Sequence, residues 1–159
     1  MKKIILIVLT VFTFVTIVNA NGPLRMKGFH HDIPFDEACK IMSTFKSDRG
    51  DFISSTKYNK CGFGRNGLIS YPHIIGSKNS NRVEKIILSP DVVNNLFHAE
   101  TIKSAKFSRV FLNRYNWIDE FRTRGTYRQE SLEYGWKLSI NRKKWIEITF
   151  FERDRTKFE

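Results

Sequence analysis

The chain has 159 residues and a formal net charge of +11 at pH 7, from 27 basic and 16 acidic side chains. A chain of this length is expected to fold around one hydrophobic core. Its two cysteines are not spaced as C-x-x-C, which argues against a thiol-redox or zinc-binding protein.

Residues 1–20 have the layout of a cleaved secretory signal peptide. Lys2 and Lys3 form a positive amino-terminal region, residues 4–18 form an uncharged apolar run, and Ala20 closes a small-residue cleavage site. The run is shorter than the roughly 20 residues that span a bilayer. We therefore predict export to the periplasm or the extracellular space, with residues 21–159 as one mature α+β domain that has no transmembrane span.

Basic residues are concentrated toward the carboxyl terminus. Removal of Lys2 and Lys3 lowers the formal charge from +11 to +9, and residues 103–159 hold 14 basic and 8 acidic side chains. Outside the cytoplasm, such a surface meets an anionic protein or an anionic envelope component, and nucleic acid is a less favoured partner. A solvated surface that serves only solubility explains the same charge, so both interpretations stay open.

Cys39 and Cys61 are predicted to form a disulfide, because an even number of cysteines in an exported chain favours pairing. The bridge would close a loop of about 23 residues and stabilise the fold by about 3 kcal/mol in the chain-entropy model. A catalytic thiol is the less favoured alternative.

The first elements after the leader are a short strand and an amphipathic helix. Residues 27–31 are predicted as the strand, and Pro34 with Asp36 marks the start of a helix over residues 35–47. Its apolar residues recur at helical spacing on one stripe: Phe35, Ala38, Cys39, Met42 and Phe45. Cys39 is thereby placed on the face that packs against a strand carrying Cys61.

Residues 52–75 are predicted to form two strands around a glycine-rich turn. Gly62, Gly64 and Gly67 match the pattern G-x-G-x-x-G, which holds a pyrophosphate only between a strand and the start of a helix. Strand-like residues 68–72 follow instead of a helix. We therefore predict a hairpin turn with the glycines at positive φ, no dinucleotide site and no other cofactor.

Helical segments are predicted between residues 90 and 115. Ser89 suits an N-cap with Pro90 in the first helical turn, and Ser104 suits a second N-cap. The second segment has apolar residues at helical spacing: Phe107, Val110, Phe111 and Tyr115.

A carboxyl-terminal β-hairpin is predicted over residues 133–151, because apolar and polar residues alternate in two runs around a basic turn. The turn contains Arg142, Lys143 and Lys144. Trp145 follows on the opposite parity from the core aromatic residues. If no helix covers that sheet face, these four residues are candidates for binding an anionic partner.

Histidines supply the weak candidates for catalysis. His30, His31 and His73 can act as acids or bases near neutral pH, as a nuclease-like hydrolase would require. Adjacent residues of a strand point to opposite faces, so His30 and His31 cannot both line one site if their segment is extended. No H-E-x-x-H, G-x-S-x-G or phosphate-loop motif is present in the sequence, and we predict no metal site.

Residues 27–38, with the sequence KGFHHDIPFDEA, resemble the opening of small α+β modules of the BamE envelope lipoprotein and β-lactamase-inhibitor-protein type. In those modules a short strand, a glycine and an acidic-capped helix precede several antiparallel strands. This chain departs from them in having no cysteine for lipidation after the leader and no glycine directly before the helix cap. The resemblance implies a non-enzymatic scaffold that binds another protein or an envelope component.

The favoured expectation is therefore an exported bacterial binding module that recognises an anionic protein or envelope component. One alternative is a secreted inhibitor or immunity-type protein. The other is a small secreted hydrolase that uses His30 or His31.

Overall fold

The computed structural model describes residues 24–99, 101, 121–123, 126–141 and 143–152. The predicted leader, the helix expected from Ser104 and the residue Arg142 lie outside the described residues. The described part contains, in chain order, β1 (Arg25–Met26), β2 (Phe29–His30), α1 (Phe35–Ser43), β3 (Asp51–Ser55), a 3₁₀ turn (Thr56–Tyr58), β4 (Lys60–Arg65), β5 (Leu68–Gly76), β6 (Val83–Leu88), α2 (Pro90–Phe97), β7 (Phe121–Thr123), β8 (Thr126–Ser131), β9 (Trp136–Asn141) and β10 (Ile146–Phe150).

Eight of the strands form one antiparallel sheet in the order β3-β4-β5-β6-β10-β9-β8-β7. The sheet is thus two four-stranded meanders, and β6 of the first pairs with β10 of the second. β1 and β2 form a separate hairpin. The predicted α+β class with an antiparallel sheet, an amino-terminal helix and a carboxyl-terminal hairpin is confirmed.

Helix α1 begins where the sequence predicts and ends earlier. Pro34 occupies the N-cap, and the acidic side chains Asp36 and Glu37 lie in the first turn, where they oppose the positive end of the helix dipole. The hydroxyls of Ser43 and Thr44 donate to the carbonyls of Lys40 and Ile41, each at 2.7 Å. Such bonds satisfy the last turn locally, so the helix stops at Ser43 and not at residue 47.

The hydrophobic core lies between α1 and one face of the sheet. Phe35, Ala38 and Met42 of the helix are buried, and α1 contacts β4 and β5. Cross-strand neighbours on the facing side of the sheet are at most 1% exposed: Cys61, Ile74, Ile86, Ile148 and Leu138. Alternation with period two therefore assigns every second residue of these strands to the core.

Two short segments differ from the prediction. The strand expected over residues 27–31 is a hairpin, because Lys27 and Gly28 have φ values of 50° and 93° and reverse the chain. Residues 51–76 hold three strands and not two, because Asn59 has a left-handed φ of 43° and ends a short 3₁₀ turn between β3 and β4.

The glycine pattern lies in the β4–β5 hairpin, as predicted, but only one of its glycines has positive φ. Gly67 has φ of 74° in the turn. Gly62 and Gly64 are strand residues of β4. At Gly62 an added Cβ would overlap the Pro72 carbonyl oxygen and the side chain of His73. The close approach of β5 to β4 therefore explains why a glycine occupies this position.

Helix α2 is tied to the segment after α1. Ser89 is its N-cap and Pro90 its first residue, as predicted. Asp91 accepts hydrogen bonds from the Ser47 hydroxyl at 2.6 Å and the Asp48 amide at 3.1 Å. Burial opposes ionisation of Asp91, but these hydrogen bonds outweigh it and hold the pKa of the carboxyl below its usual value.

The predicted disulfide is present. Cys39 of α1 and Cys61 of β4 are bonded, with their Cα atoms 6.0 Å apart, and both belong to the core. The bond fixes α1 to the second strand of the sheet and closes the loop that contains β3.

Removing this bond should destabilise the domain. We expect the variant Cys39→Ala/Cys61→Ala to lose about 3 kcal/mol in the free energy of unfolding, since the loop is then open in the unfolded chain. Denaturant unfolding of the variant, with reduced wild type as the control, measures the loss. Alkylation under denaturing conditions should modify neither cysteine of the untreated protein, and two alkylated cysteines in its intact mass would contradict the assignment.

Candidate functional site

The sheet face opposite α1, which we call the open face, carries two rows of cross-strand neighbours. The first row is Gly62, His73, Ile87, Glu147, Ser139 and Arg128, and the second is Lys60, Ile75, Lys85, Thr149, Lys137 and Glu130. Apart from Gly62 and His73, these residues are half-buried or exposed in the structure. The open face is therefore the part of the described sheet that is available to a partner.

An aromatic cluster of three residues stands on the open face. The ring of Tyr71 stacks on that of His73, with centroids 4.8 Å apart and an angle of 27° between the planes. Trp145 meets Tyr71 at 82° with centroids 5.1 Å apart. Tyr71 is 42% exposed, whereas His73 beneath it is 5% exposed. The cluster thus presents Tyr71 outward above a buried imidazole.

A bulge in β5 gives Tyr71 this position. Gly62 pairs with His73 and Gly64 with Ile69, so three residues of β5 lie opposite one residue of β4. His73 Nδ1 donates to the Ser70 carbonyl at 2.6 Å, a bond that closes the bulge. Bulges of this kind re-aim side chains and interrupt pairing.

His73 is held neutral at physiological pH. Burial lowers the pKa of its imidazole, and the positive charges of Lys60 and Lys85 lower it further. The bond to Ser70 and the negative charge of Glu147 act in the opposite direction without reversing the shift. His73 therefore serves as an aromatic support for Tyr71 and not as a cation.

The charged groups of the open face are only partly paired with each other. Lys85 and Glu147 form an ion pair of 2.9 Å, and Lys137 lies 3.8 Å from Glu130. Lys60 donates to the Ile69 carbonyl at 3.4 Å. In the two rows of described residues, four basic side chains stand against two acidic ones: Lys60, Lys85, Lys137 and Arg128 against Glu130 and Glu147. The open face is net positive.

Two clefts lie side by side on the open face. The first, the aromatic cleft, has a volume of about 330 Å³ and is lined by Tyr71, Ile87, Ser139, Asn141, Trp145 and Glu147. The second, the rim cleft, has a volume of about 470 Å³, and its lining includes His31, Asp32, Ile75, Arg82, Lys85 and Thr149. Glu147 lines the first and Lys85 the second, so their ion pair stands between the clefts.

The three predicted histidines are not gathered at one cleft. His31 lines the rim cleft, and His30 and His73 line neither of the two. The ring of His31 is engaged at both nitrogens: Nε2 donates to the Phe151 carbonyl at 3.1 Å, and Nδ1 lies 2.9 Å from the Asp32 carboxylate. His30 Nδ1 donates to the His31 carbonyl at 2.7 Å. These contacts tie the β2 segment to the end of β10.

Of the four predicted binding residues of the hairpin, the three that the structure describes do not form one patch. Arg142 lies outside the described residues, and Lys143 is exposed in the turn. Lys144 is only 7% exposed and points back to α2, where its ammonium group donates to the Ala99 carbonyl at 2.6 Å and to Asn94 Oδ1 at 2.9 Å. Trp145 reaches the open face.

Tyr71, Lys85 and Glu147 were not assigned to a binding surface from the sequence. Glu147 alternates with the core residues Ile146 and Ile148, and Lys85 precedes the core residue Ile86, so their parity was a usable signal. Tyr71 has the same parity as His73 and Ile75, which the register places on the open face, so the same signal applied to it.

Within the part of the chain that the structure describes, no three His, Cys, Asp or Glu side chains are grouped so as to hold a metal ion. Over the same residues, no helix has the length and apolar character needed to cross a bilayer.

Loss of charge at Lys144 should lower the free energy of unfolding more than loss of charge at Lys143. Lys144→Met removes the donor to Ala99 and Asn94, and we expect it to lower the free energy of unfolding by about 1–3 kcal/mol, because two acceptors lose their partner. Lys143→Met changes an exposed side chain and should stay within about 0.5 kcal/mol. Denaturant unfolding of both variants makes the comparison, and equal losses would contradict a structural role for Lys144.

Acidification should lower the free energy of unfolding of the protein, because His73 of the aromatic cluster is buried in its neutral form. Since the pKa of His73 is lower in the folded than in the unfolded protein, the unfolded chain binds more protons below the ordinary histidine pKa of about 6.5. Stability is therefore full above this pH and falls as the pH drops toward the folded pKa. His73→Phe should flatten this part of the pH profile, measured by denaturant unfolding between about pH 5 and pH 8. An unchanged slope would rule out His73 as its source.

No protein-family model, curated protein or solved structure matches this chain. The resemblance of residues 27–38 to BamE-type and inhibitor-type modules therefore stays a prediction. The case for a function rests on the geometry of the open face.

Proposed function

We propose that the protein is an exported, non-enzymatic binding module that holds an anionic protein or envelope component against its open face. The observation that carries this proposal is the combination of exposed Tyr71 and half-buried Trp145 with a net positive set of described side chains on one sheet face. Aromatic groups at the centre with charged groups around them are typical of protein recognition surfaces.

The charges support an anionic partner. Lys85 is about one-third exposed and Lys137 about half exposed, at 34% and 51% of their side-chain surface, so a ligand can reach both ammonium groups. The two lysines lie on either side of Thr149, one strand away in each direction. An extended anionic ligand across β6, β10 and β9 would meet both, at strand spacings of about 4.8 Å.

Export is supported by the leader sequence and is compatible with the disulfide. Cys39 and Cys61 are bonded inside the core, as suits an oxidising compartment. A secreted inhibitor or immunity-type protein would be a special case of the same proposal, with an acidic protein as the partner.

The hydrolase alternative receives less support. In the rim cleft, His31 lies beside Asp32 and near Arg82, which itself lies 3.5 Å from Asp32. However, a general base needs a ring nitrogen that faces the substrate. Both nitrogens of His31 face oxygen atoms of the protein, and a substrate would have to displace Phe151 or Asp32.

The proposal is tested by removing charge from the open face and, in a matched control, from the opposite side. The open-face variant is Lys85→Gln/Lys137→Gln, and the control is Lys40→Gln/Lys46→Gln, two exposed lysines of α1 and the segment after it. Both variants lose the same formal charge. Binding to oligogalacturonate, polyglutamate and phosphatidylglycerol vesicles is measured at low and high salt.

We expect wild type to bind at least one of these probes in a salt-dependent manner, and the open-face variant to bind it about three- to tenfold more weakly. The control should retain wild-type affinity within about twofold, because its charges lie far from the ligand. Failure of wild type to bind any probe, or equal losses in the two variants, would overturn the proposal.

A further inference from the structure

The aromatic cleft differs in chemistry from the positive face around it. Its lining includes the rings of Tyr71 and Trp145 and the carboxylate of Glu147. None of its lining residues is basic, and the one charged lining group, the Glu147 carboxylate, is already paired with Lys85. The lining therefore offers an anionic group no basic partner inside the cleft. We expect the ligand group that enters to be uncharged, with any anionic group placed outside, toward Lys85.

The cleft offers a stacking surface with a wall at right angles to it. The ring of Tyr71 is stacked on His73, and 42% of the Tyr71 surface is exposed, so part of the residue is available to a ligand. Trp145 stands at 82° to this ring, and half-buried Ile87 also lines the cleft. Such a corner suits a ring with an apolar face of C–H groups.

Polar groups in the cleft can pair with hydroxyl groups. Asn141 Oδ1 accepts from the amides of Lys143 and Trp145 at 2.9 and 3.2 Å, which leaves the side-chain NH₂ group as a donor. Glu147 Oε1 accepts from Lys85, so Oε2 remains as an acceptor. Ser139 can donate and accept. Adjacent hydroxyls, each of which donates and accepts, match this set.

We propose that the aromatic cleft binds one sugar ring of an acidic saccharide, stacked on Tyr71 with its hydroxyls on Asn141, Ser139 and Glu147 and its acidic substituents over Lys85 and Lys137. This inference rests on the proposed function and names the partner class within it. The volume of about 330 Å³ lies at the small end of ligand sites, which suits a single ring. A saccharide is favoured over an acidic peptide for one reason. The group inside the cleft is expected to be uncharged and rich in hydroxyls, and the anionic group is expected to lie outside it.

The variants for the test change stacking and hydroxyl recognition separately. Tyr71→Ala removes the stacking surface, and Tyr71→Phe keeps the ring. Tyr58→Ala is the matched control, since Tyr58 is 68% exposed in the 3₁₀ turn between β3 and β4. Glu147→Gln keeps the shape of the cleft and raises the net charge by one. Circular dichroism and denaturant unfolding show that each variant is folded.

Binding of oligogalacturonate and heparin oligosaccharides is measured by calorimetry and tryptophan fluorescence, with neutral galactose oligomers and polyglutamate as comparison probes. We expect Tyr71→Ala to weaken binding of an acidic saccharide about tenfold or more, as for aromatic residues at the centre of an interface. Tyr71→Phe and Tyr58→Ala should stay within about threefold and twofold. Neutral oligomers should bind more weakly than acidic ones.

The affinity of Glu147→Gln for the acidic saccharide distinguishes hydroxyl recognition from binding by charge alone. If Glu147 accepts from sugar hydroxyls, its replacement weakens binding about threefold or more, because charge-assisted hydrogen bonds are stronger than neutral ones. If the saccharide is held by charge alone, loss of a carboxylate strengthens binding instead. Tighter binding by Glu147→Gln, or equal effects of Tyr71→Ala and Tyr58→Ala, would overturn this inference and leave charge-dependent binding by the open face intact.

Two other results would also overturn it. Absence of binding to both acidic saccharides excludes this partner class, and a positive result with polyglutamate or vesicles would then still support the proposed function. Binding of polyglutamate with the same loss in Tyr71→Ala would assign the cleft to an acidic peptide.

Discussion

Burial of one sheet face under α1 is the constraint on which the rest of the molecule depends. The disulfide between Cys39 and Cys61 fixes the helix to β4, and the apolar side chains of the central strands turn toward it. Because successive residues of a strand point to opposite sides, the assignment of apolar residues to the face under α1 also decides which residues the other face carries. Lys85, Glu147 and Trp145 are on the open face because their neighbours Ile86, Ile146 and Ile148 are in the core.

The bulge in β5 adds a second, local constraint. A regular strand would give each of its residues one partner on β4, whereas the bulge places three residues, Tyr71 among them, opposite one. Gly62 permits the close approach of Pro72 and His73, and the bond from His73 to Ser70 holds the bulge closed. The proposed binding surface thus depends on a glycine and a buried histidine that line neither of the two clefts.

Features set by local chemistry and strict periodicity could be predicted from the sequence. The start of α1 at Phe35, the cap of α2 at Ser89 and the alternation of β9 and β10 are examples, and the disulfide followed from the cysteine count with the leader. The parity of Trp145 also predicted correctly that this member of the aromatic cluster lies on the face opposite the core.

Features that depend on contacts between distant parts of the chain could not be predicted. Lys144 has φ of 64°, which turns it from the open face toward Asn94 and Ala99, residues 50 and 45 positions earlier. A run of basic residues in a hairpin turn gives no sign of such a contact. The bulge beside Tyr71 was not predicted for a related reason, since a bulge is defined by the register of two strands and is not visible in the sequence of either one.

The open face is net positive, whereas the lining of its aromatic cleft includes no basic residue, and this difference bears on the selectivity of the proposed site. Long-range attraction depends on the total charge of the open face and favours polyanions of many kinds, but it is weakened by salt and does little to distinguish among them. In the proposed mode of binding, the aromatic cleft acts only at contact, where it offers an anion no basic partner and offers an uncharged ring two aromatic side chains. A partner of the proposed kind satisfies both requirements: enough negative charge to be attracted by Lys85 and Lys137, and an uncharged group beside that charge that fits the corner between Tyr71 and Trp145. In this proposal, discrimination among anions comes from the part of the site that has no basic side chain.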